Sequence, residues 1–113
     1  MEKNQFNSNY QKEGYWEEYY SNGVLHSKGY YKNGLKHGFW EFYYINGDIL
    51  SKGYYINGMK YGNWVTYWIE NKVYRMETFL NNINYGFLLK FWINGDIMEI
   101  GEFQNNVYKK IDF

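Results

Sequence analysis

The chain has 113 residues, and its twelve Lys and Arg balance twelve Asp and Glu, so a formal charge of zero gives no bulk electrostatic preference for nucleic acid or anionic membranes. It has no cysteine, which excludes a disulfide framework, a thiolate nucleophile and a thiolate zinc site. A quarter of the residues are aromatic while Pro and Ala are absent, which predicts an all-β protein, because aromatic side chains pack well on a pleated sheet.

Residues 1–13 form a polar N-terminal segment, MEKNQFNSNYQKE. It has no apolar run typical of a signal peptide, and no stretch of the chain approaches the length of a membrane span, so we expect one small cytoplasmic domain. The segment is either simply polar or a degenerate half-repeat that caps the sheet, since Asn9 and Lys12 are in phase with Asn33 and Lys36 of the repeats below. Because unpaired edge strands invite self-association, we expect it to cover one edge.

Four repeats of 24 residues follow, at 14–37, 38–61, 62–85 and 86–109, and residues 110–113 form a C-terminal tail. The period is defined by Gly14, Gly38, Gly62 and Gly86, and the other eight glycines fall into three further columns of the same period.

Each repeat contains two turns of the Asn-Gly type, as at Asn22-Gly23 and Asn33-Gly34. Between aromatic runs this dipeptide predicts a type I′ hairpin turn, in which both central residues need positive φ. Where Gly is lost, Asn replaces it, as at Asn71, Asn82 and Asn106, because Asn is the next residue that tolerates this conformation. Each repeat is therefore predicted to be a two-stranded hairpin.

A two-residue loop at Asn22-Gly23 predicts the strand register of the first hairpin. It places Tyr20 opposite Leu25, Glu17 opposite Lys28, and Trp16 opposite Gly29, where the indole can lie across a residue without a side chain. The charged pair recurs as Glu41 with Lys52 and becomes apolar in the last two repeats, as Val65 with Met76 and Leu89 with Ile100.

The aromatic columns predict which face of the sheet is buried. We expect the column of Tyr20 and the column of Tyr31 to share that face, with the column of Leu25 between them. The predicted fold is an elongated, single-sheet antiparallel β-meander of about eight strands, roughly 40 Å along its stacking direction at the usual strand spacing.

With this pattern established, residues 14–38, GYWEEYYSNGVLHSKGYYKNGLKHG, resemble the MORN repeat family, specifically its longer bacterial variant. The resemblance covers nearly the whole chain and is carried by the glycine columns, the Trp two residues after the first Gly, the Tyr-Tyr pairs, and LKHG at 35–38. The sequence departs from the pattern at Glu77, in a glycine column, at Glu70-Asn71, in a turn, and at Leu88, where Trp is expected.

The resemblance implies a scaffold or adaptor that binds proteins or membrane lipids. Bacterial proteins of the longer variant are often classed as antitoxin-like or immunity proteins, which bind a toxin and block it by occlusion. We therefore expect a non-enzymatic, protein-binding repeat module, and a toxin is the narrower expectation for its partner.

No residue pattern predicts catalysis, a cofactor or a metal site. His26 and His37 occupy ordinary strand columns without a partner Ser or Asp, and Glu17 and Glu18 point to opposite faces of a strand. Asp48 and Asp96 recur once every second repeat, which supplies too few ligands for calcium.

The third repeat differs most from the others, and a repeat that recognises a partner has reason to differ. Aromatic and Arg side chains are frequent anchors of protein interfaces. We therefore predict a partner-binding site at Trp64, Tyr67, Trp68, Tyr74, Arg75 and Glu77. Drift in a tolerant repeat explains the same differences and stays open.

A second hypothesis is a membrane-associated adaptor that binds anionic lipid headgroups. It requires one basic patch built from Lys28, Lys32, Lys36, Lys52 and Lys60. In solution we expect a monomer, or weak self-association through the edge strands.

Overall fold

A computed structural model describes residues 2–112, and within them eleven antiparallel strands form one open sheet. The strands are β1 (Gln5–Phe6), β2 (Lys12–Tyr19), β3 (Leu25–Lys32), β4 (Leu35–Tyr43), β5 (Ile49–Ile56), β6 (Met59–Tyr67), β7 (Val73–Leu80), β8 (Ile83–Asn84), β9 (Gly86–Phe91), β10 (Ile97–Gln104) and β11 (Val107–Ile111). A single 3-10 turn, Ile69–Asn71, joins β6 to β7 in this part of the chain.

The strands pair in chain order, except that the short β8 lies beside β7 and leaves β9 to continue the sheet. The molecule measures 53 × 33 × 19 Å. This confirms the predicted elongated, single-sheet meander built from four hairpin repeats. The strand number exceeds the expected eight because β1 and β11 extend the sheet and the first strand of the fourth hairpin is interrupted at Tyr85.

The second turn of each repeat has the predicted geometry. Asn33 and Gly34 have φ of 51° and 80°, and both lie in the left-handed region that a type I′ turn requires. Where Gly is lost, Asn adopts the same conformation, with φ of 68° at Asn82 and 65° at Asn106.

The first turn was predicted wrongly. Only Gly23 has positive φ there, the Gly23 amide donates to the Tyr20 carbonyl at 2.9 Å, and the Tyr20 amide donates to the Val24 carbonyl at 2.8 Å. The loop therefore has three residues, a type I turn followed by a glycine bulge, rather than two. Asn22 contributes through its side chain, whose Oδ1 accepts the Val24 amide at 3.0 Å.

This loop shifts the register at the end of the hairpin. Leu25 pairs with Tyr19 instead of Tyr20, and the register slips there by one residue, whereas the predicted pairs of Glu17 with Lys28 and Trp16 with Gly29 are present. Because a slip of one residue changes the face, Leu25 lies opposite to the face of Tyr31. The prediction that the columns of Leu25 and Tyr31 share the buried face is therefore wrong.

The buried column is built from tryptophans. Trp40 is 1% exposed and Trp64 is 3% exposed, and Leu88 takes the same position in the last repeat. The ring of Tyr31 lies between two of these indoles, 5.8 Å from Trp16 and 5.0 Å from Trp40. We call this side the tryptophan face; it carries Trp16, Tyr31, Trp40, Tyr55, Trp64 and Phe79. The other side is the reverse face.

Trp40 and Trp64 each cover the glycine of the preceding hairpin rather than the residue with which they are paired. A Cβ at Gly29 would collide with the ring of Trp40, although Gly29 is paired with Trp16 as predicted. The Trp40 Nε1 donates to the Tyr30 carbonyl at 2.9 Å, which tilts the ring toward the earlier strand. The indoles therefore join neighbouring hairpins to each other.

The column of Tyr20 also joins neighbouring hairpins. Tyr20 Oη donates to the Tyr43 carbonyl at 2.6 Å, and in the next repeat Tyr44 Oη donates to the Tyr67 carbonyl at 2.7 Å. Trp68 makes the corresponding bond one repeat later. These side chains act as links between repeats rather than as the expected part of the buried column.

Candidate binding surfaces

The structure separates the six predicted partner-binding residues into three locations. Trp64, Arg75 and Glu77 belong to the tryptophan face, and Tyr67 belongs to the reverse face. Trp68 and Tyr74 contact each other at the end of the hairpin, with ring centroids 4.4 Å apart and ring planes tilted by 53°. Trp64 is a core residue, so its side chain has little surface to offer a partner.

Two departures of the third and fourth repeats are explained by packing. Trp40 covers Gly29 and Trp64 covers Gly53, but at the next position of both columns the chain has Leu88 and Glu77. The smaller leucine leaves room for a side chain where glycine was required. We therefore predict that the loss of Gly and the loss of Trp are one coupled change.

Glu77 is held by neighbours on the same face. Its Oε2 lies 3.2 Å from Arg75 Nε, and its Oε1 accepts the Asn84 side-chain amide at 2.9 Å. The Arg75 contact is an ion pair by distance, while its Nε–H lacks an aligned acceptor within residues 2–112. Arg75 and Glu77 thus form a local, half-buried ion pair.

A continuous row of paired residues crosses the reverse face from β2 to β11, and its character changes halfway. Neighbours along the row are direct Cα partners in the sheet. In chain order the central row reads Glu17, Lys28, Glu41, Lys52, Val65, Met76, Leu89, Ile100 and Ile111. Alternating charge over the first two repeats becomes five successive apolar side chains over the last two repeats and the C-terminal tail.

The apolar half of the central row has apolar neighbours. Tyr67 pairs with Val73, and Phe91 pairs with Ile97, on the same face. An open recess of about 370 Å³ lies there, with Val73, Met76, Phe91 and Ile93 in its wall. We call Val65, Val73, Met76, Leu89, Phe91, Ile97, Ile100 and Ile111 the apolar face. All eleven strands of residues 2–112 lie in one sheet, so no second layer of this part of the chain covers it.

A basic surface lies on the tryptophan face. Lys36 pairs with Tyr31, and Lys60 pairs with Tyr55, while Lys12 lies in β2 on the same side. An open recess of about 560 Å³ connects these three lysines. We call them the lysine row. Sequence reasoning noted that Lys12 and Lys36 are in phase but did not connect the three, because their shared face depends on bulges between the hairpins.

A compact polar cluster holds the N-terminal segment against β2 on the reverse face. Glu17 Oε1 accepts Lys3 Nζ at 2.7 Å and the Tyr19 hydroxyl, and Glu17 Oε2 accepts the Tyr15 hydroxyl at 2.7 Å. These hydrogen bonds from Lys3, Tyr19 and Tyr15 lower the pKa of Glu17 to about 2. Burial and the bond to Glu17 raise the pKa of Tyr15 to about 12.

The two histidines have ordinary surroundings. The rings of His26 and Tyr20 contact each other with centroids 4.8 Å apart, and His37 Nδ1 accepts the Asn57 amide at 3.4 Å. In residues 2–112 no group of three His, Asp or Glu side chains is placed to hold a metal ion.

No helix in the described chain is long and apolar enough to cross a lipid bilayer. Comparison of the chain with protein-family models and with curated proteins found no match.

Proposed function

We propose that this chain is a non-enzymatic, cytoplasmic protein-binding module whose apolar face contacts the partner. The observation that carries the proposal is the change in the central row, where Lys52 is followed by Val65 and Met76 on an uncovered face. Met76 is 40% exposed, and contiguous exposed apolar surface of this kind marks interaction sites.

The charges that border the apolar face favour a protein over an anionic membrane. On one side Lys28 Nζ lies 3.8 Å from Glu41 Oε1. On the other side Glu102 and Lys109 are strand partners in β10 and β11. Charges of both signs around an apolar centre resemble the polar rim of a protein interface. An anionic bilayer would be attracted by the lysines and repelled by the glutamates.

The resemblance to the longer bacterial MORN variant supports a narrower form of the proposal. In that form the chain is an antitoxin or immunity protein, and it neutralises a cognate toxin by occlusion. Of the predicted partner-binding residues, Tyr67 adjoins the apolar face through its pairing with Val73.

The test is recovery of the tagged protein from its native host, with measurement of what co-purifies and in what ratio. We expect a stoichiometric protein that is toxic when expressed alone. Met76→Asp should abolish its recovery, because a carboxylate would be buried in the contact. Ile45→Asp is the matched control, since Ile45 is also an exposed apolar residue, 59% exposed, but lies in the turn after β4 and outside the apolar face.

Two results would contradict the proposal. One is that the wild-type protein retains no protein partner. The other is that Met76→Asp and Ile45→Asp retain the partner equally well. A partner that is retained stoichiometrically but is harmless alone would contradict only the antitoxin form.

The second candidate function is the adaptor for anionic lipids. Lys28, Lys32 and Lys52 lie on the reverse face and Lys36 and Lys60 on the other, so these five do not form one patch. The lysine row still offers three cations on one face, which is the observation that favours this candidate. Flotation with anionic vesicles, weakened by added salt, would support it.

A further inference from the structure

The lysine row consists of three ammonium groups at one position of the 24-residue period. Lys12, Lys36 and Lys60 lie in β2, β4 and β6, and the position one period later is Asn84. The Asn84 side chain donates to Glu77, so the row ends there.

Aromatic rings hold the ammonium groups in place. Lys36 Nζ lies 5.2 Å from the ring of Trp40, and it lies 5.7 Å and 5.8 Å from the rings of Tyr31 and Tyr55. Lys12 and Lys60 lie 4.7 Å from the rings of Trp16 and Trp64. Cation–π contacts of this kind restrict the lysine side chains before any ligand binds.

Two of the three charges are left without a counter-ion. Lys12 Nζ lies 3.0 Å from Glu18 Oε1. Among residues 2–112 no carboxylate lies within 4.0 Å of Lys36 or Lys60. The open recess between them is therefore cationic in a chain whose net charge is zero.

The spacing of the row matches an extended polypeptide. Alternate strands are about 9.6 Å apart at the usual strand spacing. One turn of polyproline II helix, three residues, rises about 9.3 Å and brings every third side chain back to the same side, whereas the side chains of a β-strand alternate between two sides. A carboxylate at every third residue would therefore meet one lysine each.

We propose that the lysine row binds an acidic polypeptide segment in the polyproline II conformation that runs across the strands, with acidic residues at positions i, i+3 and i+6 on one side. Lys36 and Lys60 form ion pairs with two of the carboxylates, and Lys12 is shared with Glu18. The site lies on the face opposite to the apolar face, so its test is independent of the test of the proposed function.

The geometry favours a polypeptide over a lipid surface for this site. The three lysines are half-buried against aromatic rings in a recess. Lysines that bind lipid headgroups must instead extend to a flat bilayer surface. Further along the same face, Glu77 and Glu99 would approach the anionic surface as well.

The experiment compares two labelled seven-residue peptides of identical composition by fluorescence anisotropy at low ionic strength. One carries Glu at positions 1, 4 and 7, the other carries Glu at positions 1, 2 and 3, and Ser or Gly fills the remaining positions. We expect the spaced peptide to bind about tenfold more tightly, because the clustered peptide loses about two ion pairs. Added salt should weaken its binding.

Single lysine variants locate the site. Lys36→Gln and Lys60→Gln should each weaken binding of the spaced peptide about two- to fivefold, and Lys12→Gln less, because Glu18 already competes for Lys12. Lys52→Gln is the matched control, because Lys52 also lies over an aromatic ring, that of Tyr67 at 5.8 Å, but on the reverse face. Lys36→Arg keeps the charge and the ring contact, so it should retain binding. It provides the comparison at this position if Lys36→Gln folds poorly.

Equal binding of the two peptides would overturn the proposal, as would equal effects of Lys36→Gln and Lys52→Gln. Flotation with phosphatidylserine vesicles that depends on Lys36 and Lys60, without a preference between the peptides, would overturn it in favour of a lipid ligand.

Discussion

Trp64 lies across Gly53 so closely that a Cβ at position 53 would collide with the indole. The contact joins the second hairpin to the third, and Trp64 Nε1 donates to the Tyr54 carbonyl at 3.1 Å beside it. A sheet one layer thick has few buried contacts, so it depends strongly on each of these.

We therefore predict that Gly53→Ala destabilises the protein by about 2 kcal/mol, because the added methyl group displaces the indole. Ser51→Ala, two residues earlier on the same face, should change the free energy of unfolding by less than about 0.5 kcal/mol. Urea denaturation of both variants measures the difference. Equal effects would show that the contact is loose.

Glu77 and Leu88 provide a test of the coupled change in the packing. Leu88→Trp alone should destabilise the protein by about 1 to 3 kcal/mol, because the indole meets the Glu77 side chain. Glu77→Gly alone should also destabilise it, because Arg75 and Asn84 lose their partner. The loss of unfolding free energy in the double variant should be smaller than the sum of the two single losses by at least about 0.5 kcal/mol. Simple additivity in denaturant titrations would contradict the coupling.

The sequence was sufficient to predict the repeat, the hairpins and the strand pairing in the middle of each hairpin. Glycine and asparagine mark positive φ directly, and cross-strand pairs such as Glu17 with Lys28 can be checked between repeats. The first turn was missed because Asn22-Gly23 is compatible with two loop lengths. The dipeptide alone does not reveal whether Asn or only Gly has positive φ.

The binding surfaces could be predicted only in part. The sequence shows that charged pairs become apolar from Val65 onward, but joining those pairs into one row requires the register between hairpins. That register skips residues around Gly38 and Gly62, which have φ of 87° and 74°. The same bulges determine which face Lys36 and Lys60 share, so the lysine row became visible only in three dimensions.

The hydroxyl of Tyr44 links the second and third repeats. We predict that Tyr44→Phe lowers the free energy of unfolding by about 1 kcal/mol, because the Tyr67 carbonyl loses its 2.7 Å hydrogen bond. Tyr54→Phe is the control, since Tyr54 is 48% exposed and its hydroxyl has no protein partner within residues 2–112. Thermal unfolding of the two variants measures the difference, and identical midpoints would contradict the link.

Glu17 should make stability depend on acid pH. Its pKa is about 2 in the folded protein, below the ordinary value of 4.5, so the folded state favours the ionised form. The resulting stabilisation is fully present above pH 4.5 and is lost as the pH falls from there toward 2. We expect the wild-type protein to lose its advantage in melting temperature over Glu17→Gln across this range.

The matched control for that titration is Glu70→Gln, because the Glu70 carboxylate makes no ion pair or hydrogen bond within residues 2–112. Its melting temperature should stay close to that of the wild-type protein. Parallel curves for Glu17→Gln and the wild-type protein would show that the Lys3 and tyrosine contacts do not hold the carboxylate ionised.

The N-terminal segment should keep the first edge of the sheet from self-associating. Gln5 and Phe6 pair with Glu13 and Lys12, and Phe6 packs edge-on against Trp16 at a centroid distance of 5.2 Å. Deletion of residues 1–12 removes this cover and leaves the outward-facing amides and carbonyls of the remaining β2 residues unpaired. We expect the mass measured by light scattering to rise with protein concentration.

Phe6→Ala is the milder companion to that deletion, because it weakens the cover while the backbone of β1 stays in place. It should shift the mass less than the deletion does. Trp16 Nε1, which donates to the Gln5 carbonyl at 3.0 Å, would lose that bond only in the deletion, so its fluorescence reports whether β1 is docked. A monomer of unchanged mass after deletion of residues 1–12 would show that the strand is not needed to block the edge.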